Sequence, residues 1–349
     1  SNMVDTLVKE TTTVTENVSG SLLISAADGA TLKGIKIGGD LILAPGVTKD
    51  VTLVDCVIQG NIRNYGTGEV RFEAPQITPE STATKPSEVY KPGATLDRTL
   101  EYGGKTVPIY RDRPLNVFSD VDFIWTGEEN ENQRRLEYLG GEFRTRYGID
   151  VSSFQGEIDW DAVADDNIDF AMVRVGFRGT GTGSLNTDKY YEQNIRGAMR
   201  AGLETGVYFF AQAVTVEEAI EEADYVISLL DGLDINGPVA YDWEMHDSTY
   251  RVYGTSPEMA TACAVAFCQR IKDAGYTPMV YGGTYVTYMK YDQGALADYL
   301  SWYPEYKSEK SEKLCPTLVY HMDYWQFSST RAVAGINGRV DMNIQFIRR

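Results

Sequence analysis

Asp242 and Glu244 stand two residues apart in Tyr241-Asp242-Trp243-Glu244, at the end of the apolar run Gly237-Pro238-Val239-Ala240. The run reads as a buried strand. Alternate residues of a strand point the same way and rise about 3.3 Å each, which sets the two Cβ atoms roughly 6 to 7 Å apart. Two carboxyls on one face at that spacing can flank a single sugar linkage. Asp150 and Asp341 fall at the ends of two other predicted strands. Crowded carboxyls cannot all ionise easily, and like-charge repulsion with partial burial raises at least one pKa toward the range where it donates a proton. Glu244, at the strand tip, is the expected acid. The bland use of each acid taken singly is to cap the next helix or pair with a base. Tyr208, Phe210, Trp243, Tyr281, Trp302 and Trp325 lie at the same strand ends and offer flat apolar faces with polar tips for sugar rings. Each of these aromatics also fits a core position.

The elements that would position these residues begin after Tyr147, where strands alternate with helices in the manner of parallel βα units. The pattern predicts strands over 147–152, 170–177, 205–211, 237–244 and 278–282. Thr215 with Glu218 forms a capping box ahead of Ala219, Ile220, Ala223, Ile227 and Leu230. Ser256 and Pro257 open a helix that stops at Gly275. Beyond it the helical pattern fades, and strands are expected within 300–303, 320–327 and 339–346. The expected class is α/β, an irregular TIM-like barrel whose acids meet at the C-terminal ends of its strands.

Ahead of the barrel, Gly20-Ser21-Leu22-Leu23-Ile24, Gly39-Asp40-Leu41-Ile42-Leu43 and Gly60-Asn61-Ile62-Arg63-Asn64 recur at a spacing of about 20 residues. Residues 1–73 are therefore expected to form a small all-β accessory domain, solenoid-like, with a short β-sandwich as the alternative. Residues 74–93 are rich in Pro, Thr, Ser and Lys and read as a linker. Residues 94–146, with the charged run Glu128-Glu129-Asn130-Glu131-Asn132, read as a lead-in that packs on the catalytic domain at 147–349.

Composition narrows the function. The chain has 349 residues, with 50 acidic against 32 basic side chains and a net charge of -18, which argues against nucleic acid as a partner. No apolar stretch has the length of a membrane span, and a signal-peptide pattern is absent. The four cysteines have no metal spacing and read as buried thiols. With His246 and His321 as the two histidines, a multi-histidine zinc site is excluded and a Ser-His-Asp triad has few candidates. No metal or cofactor is expected, and carboxylate chemistry gains by elimination.

Five motifs then occur in order: Tyr147-Gly148-Ile149-Asp150-Val151-Ser152-Ser153-Phe154-Gln155-Gly156, Gly206-Val207-Tyr208-Phe209-Phe210, Tyr241-Asp242-Trp243-Glu244, Tyr324-Trp325-Gln326-Phe327-Ser328 and Val340-Asp341-Met342-Asn343. Over about 147–349 the chain resembles family 25 glycoside hydrolases, the muramidase-type lysozymes. The resemblance implies a flattened barrel of five βα units followed by three strands, (β/α)5(β)3. It implies hydrolysis of the β-1,4 bond between N-acetylmuramic acid and N-acetylglucosamine in peptidoglycan, and a secreted or cell-surface protein. By the family pattern Glu244 is the general acid, Asp242 stabilises positive charge or orients the acetamido group, Asp150 and Asp341 tune the pair, and Tyr208, Tyr281, Trp302 and Gln326 contact substrate. Substrate-assisted retention is the expected stereochemistry. The chain departs from the pattern at Phe154 and at Phe209-Phe210, where many relatives have histidine.

Two rival readings remain. A chitinase-like barrel requires acids at two upstream motif positions, which Gly237 and Ala240 occupy. A catalytically silent wall-binding protein would grip glycan without cutting it, with the N-terminal repeat contacting a cell surface.

Overall fold

The computed structural model describes residues 4–73, 84–127 and 131–349, which fall into two compact units, residues 1–82 and 83–349. The first ten residues of the expected linker, 74–83, and the start of the charged run, 128–130, lie outside the described residues.

In the first unit short strands pair in parallel, and each inward side chain stacks on its equivalent in the next coil. Leu22 lies over Leu41 and Leu41 over Ile62. Leu32 lies over Leu53 and Leu53 over Phe72. The column members Leu22, Leu32, Leu41 and Leu53 are buried, whereas Ile62 and Phe72, at the final coil, are exposed. The recurring glycines follow from how closely the coils approach. A Cβ on Gly39 would meet the Gly20 carbonyl carbon at 2.8 Å, and one on Gly60 would meet that of Gly39 at 2.6 Å.

The second unit is a mixed α/β fold. Among the described residues eight strands close into a barrel: Phe143–Val151, Phe170–Arg178, Glu204–Ala211, Val239–Trp243, Pro278–Tyr281, Leu300–Pro304, Tyr324–Arg331 and Val340–Arg348. The first seven run parallel. The last runs antiparallel to both of its neighbours and closes the ring against the first. Helices Trp160–Asp165, Tyr191–Arg200, Val216–Leu229, Pro257–Asp273 and Thr284–Met289 fall between successive strands up to Leu300.

Local chemistry explains the helix ends. The Thr215 hydroxyl accepts from Glu218 N at 3.2 Å, and the Glu218 carboxylate accepts from Val214 N at 2.9 Å. Ser256 accepts from Met259 N at 3.2 Å, and the chain leaves the helix through Gly275 at φ +93.

The strand period of two sorts the side chains into two cores. Phe170, Met172, Ala240, Met279, Tyr281, Trp302 and Tyr324 pack inside the barrel. Ile149, Val173, Val207, Phe209, Tyr241, Trp243, Trp325 and Ile344 face outward and pack in the layer that includes the helices.

Three boundaries differ from the sequence expectation. The first barrel strand begins at Phe143, because residues 143–146 pair with Gln345–Arg348 of the closing strand. The lead-in contains two antiparallel hairpins, Leu96–Tyr102 with Lys105–Tyr110 and Phe123–Thr126 with Arg135–Tyr138. Residues 84–93 are tied to the barrel unit: Thr84 donates to Glu217 through its backbone N at 2.8 Å and its hydroxyl at 2.6 Å, and Gly93 N donates to Asp292 at 2.9 Å.

Candidate active site

Inward side chains from one end of the barrel, with residues just beyond its strands, line one cavity of about 770 Å³. Its walls include Asp150, Tyr208, Phe210, Asp242, Glu244, Tyr281, Trp302, Gln326 and Asp341. All four expected acids are thus brought together, with five of the seven expected substrate contacts.

Trp243 and Trp325 are corrections. Each is next in sequence to an inward residue, Asp242 or Gln326, so the alternation of the strand turns it to the opposite face. Both rings are fully buried. The Trp243 indole donates to Ala213 O at 3.0 Å and the Trp325 indole to Glu305 O at 3.0 Å. Neither ring is available to a sugar. Trp243 instead anchors the strand tip, which a second bond also holds: the Gln212 amide donates to Glu244 O at 2.7 Å.

The floor of the cavity is a matched set of donors and acceptors. Asp150 Oδ2 accepts from Gln326 Nε2 at 2.8 Å and from Asn343 Nδ2 at 2.8 Å. Gln326 Oε1 accepts from the Tyr281 hydroxyl at 2.8 Å and the Tyr306 hydroxyl at 3.1 Å. Asn343 Oδ1 accepts from the Trp302 indole at 2.8 Å. A buried polar group left without a partner is costly, so these bonds fix which way both amides face.

Electrostatics places protons within this set. Burial, then the charge of Asp150, pushes the Asp341 carboxyl up to about 9, so it is neutral at pH 7 and donates to Asp150. Burial also raises Asp150, while the bonds from Asn343 and Gln326 oppose that rise. Asp242 is pushed well above the usual carboxylate range, by burial first and then by the charge of Glu244 and a hydrogen bond with it, with Arg174 opposing. Asp242 is 6% exposed, whereas the Glu244 side chain keeps 25% of its surface and bonds His246 Nε2 at 2.6 Å. Among the described residues Asp242 Oδ1 has no hydrogen-bond partner.

Sequence reasoning assigned no site role to Arg174, Ser152, Gln155 and Tyr306, which also line the cavity. Arg174 left a readable signal, a charge at an inward position within the otherwise apolar run 170–177. Its Nε donates to Asp188 at 2.9 Å. Tyr306 lies just beyond a strand, where the period of two no longer predicts direction.

A closed barrel with a carboxylate-lined mouth is the layout of a sugar-cleaving enzyme, and the comparisons with known proteins narrow it. Residues 149–336, more than half of the chain, match the sequence model of glycosyl hydrolases family 25, and the chain belongs to that family. It is 25% identical over 197 residues to the autolytic lysozyme of Clostridium acetobutylicum, a match covering 56% of this chain and 54% of that protein. It is 27% identical over 201 residues to lysozyme M1 of Streptomyces globisporus, covering 56% and 66%. The matched region thus spans about half of the clostridial relative and about two thirds of the other. The crystal structure of the Clostridium perfringens spore cortex lytic enzyme SleM is similar in fold, with a TM-score of 0.50 at 22% identity over 58% of this chain and 67% of that one.

Proposed function

We propose that this protein is a peptidoglycan hydrolase, an N-acetylmuramidase that cleaves the β-1,4 bond between N-acetylmuramic acid and N-acetylglucosamine. The observation that carries the reading is the convergence of Asp150, Asp242, Glu244 and Asp341 on one open cavity of a family 25 barrel. Two relatives named as lysozymes agree with it. The (β/α)5(β)3 description of the barrel and the solenoid description of residues 4–73 belong to the same reading, as does a place at the cell wall or outside the cell. No helix among the described residues is long and apolar enough to cross a membrane. Residues 1–73 are assigned wall contact.

The mechanism divides the work between Asp242 and Glu244. In the free enzyme burial and the charge of Glu244 push the Asp242 carboxyl above the usual carboxylate range. The 2-acetamido N–H of a bound sugar donates to the Asp242 carboxylate, and Glu244 is the member of the pair that carries the proton for the leaving group. Glu244 then gives it to the glycosidic oxygen as the C1–O bond breaks. The acetamido oxygen attacks C1 from within the substrate and forms a cyclic oxazolinium, whose charge Asp242 balances. Water, losing a proton to Glu244, opens the ring, so configuration at C1 is retained. Asp341, neutral and bonded to Asp150, keeps the cavity from carrying four negative charges.

The test is solubilisation of purified peptidoglycan by the intact chain and by Glu244→Gln. Released muropeptide from the wild type and a loss of order 10² to 10⁴ in the variant are expected from removing general-acid help. Wild-type turnover in the variant removes Glu244 from the mechanism. Binding without any released muropeptide identifies a silent wall-binding protein. NMR of the first anomer released checks stereochemistry, and an inverted product overturns substrate assistance.

A further inference from the structure

Phe154 lines the same cavity as the acids, yet 85% of its surface is exposed. The ring is held in place. Its turn, Ser153–Gln155, is fixed by Ser152 Oγ accepting from Phe154 N at 3.2 Å and by Gln155 Oε1 accepting from Ser152 N at 2.8 Å. Ser153 N donates to Asp188 at 2.9 Å, and the Asp188 side chain is fully buried. The same carboxylate holds Arg174, whose guanidinium carbon sits 5.3 Å from the Phe154 ring centre and 5.0 Å from that of Phe177. Phe154 is thus braced on a cation that is anchored below it, while most of its surface remains open to water.

We propose that Phe154 is the platform of an additional glycan subsite at the cavity rim, taking the apolar face of an N-acetylhexosamine ring beyond the two that flank the cleaved bond. This rests on the reading of the cavity as a peptidoglycan glycan site. A phenyl ring contributes stacking area with no hydroxyl to select among sugar substituents, so the subsite takes either sugar of an alternating strand. Because turn and cation already fix the ring, binding orders little further side-chain freedom. The subsite lengthens the stretch of glycan gripped and takes no part in proton transfer.

The experiment is calorimetric binding of muropeptide-derived glycan fragments, from disaccharide to octasaccharide, to the Glu244→Gln protein with and without Phe154→Ala. The expected result is a loss in affinity that grows with fragment length and reaches about five- to tenfold for the longest, with Phe154→Trp restoring it. Equal loss for every length, or no loss at the longest, overturns the subsite. If the Glu244→Gln protein with Phe154 intact binds no fragment at all, the glycan reading itself fails and the subsite with it. Phe154 is on the surface, so folding is not at risk in these variants.

Discussion

Both units are built on parallel strands with one face turned inward, and they use that face in opposite ways. In residues 4–73 the inward columns, Leu22 with Leu41 and Leu32 with Leu53, stay apolar from coil to coil. In the barrel the interior changes along its length, from Phe170, Met172 and Ala240 to Asp150, Asp242, Asn343 and Gln326. Stacking equivalent residues repeats the same chemistry at every level, so a lone buried acid in such a column would find only apolar neighbours above and below. Different strands meeting at one end of a barrel can instead each supply a different side chain. That is how Asp150 obtains two amide donors and a neutral acid as neighbours.

The sharpest way to break this contrast is Glu244→Gln, which is expected to lower the rate by 10² to 10⁴ while the melting temperature of both units stays within a degree or two, checked by turnover and calorimetry. Next is Leu41→Ala. It empties space in a buried column and is expected to destabilise the first unit by about 2 to 5 kcal/mol, read by denaturant unfolding, without changing turnover on soluble glycan fragments. A matching loss of turnover would show that the units are not functionally separate.

A smaller effect concerns pH. The Asp341 carboxyl titrates near 9 when folded against 3.8 ordinarily, so between those values the folded chain keeps a proton that the unfolded chain has lost. Its contribution to stability is complete at low pH and declines as pH rises through the folded value, with a slope of up to about 1.4 kcal/mol per pH unit for one proton. Asp341→Asn should flatten the fall in melting temperature between pH 5 and 9. The smallest expected effect is on removing residues 1–82: the remaining chain should cleave soluble fragments at the parent rate, with any loss confined to intact walls.

What the sequence made legible follows the same contrast. The ordered motifs located all four acids because motif residues and inward strand positions coincide. Trp243 and Trp325 were misread because ring type was weighed without the alternation that Asp242 and Gln326 had already defined. The hairpins of the lead-in escaped notice since their short strands, such as Leu96–Tyr102, are largely exposed and carry charge on both faces. The difference in burial between Asp242 and Glu244 was not legible at all, because it depends on how the strand tip packs.

The opposite facing of Asp242 and Trp243 has one more consequence. Deleting or inserting a single residue within Val239–Trp243 would exchange them, pushing a carboxyl into the helix layer and an indole into the sugar groove. A change of length inside that strand would therefore cost both the cavity and the packing behind it, whereas a substitution at either position touches only one of them.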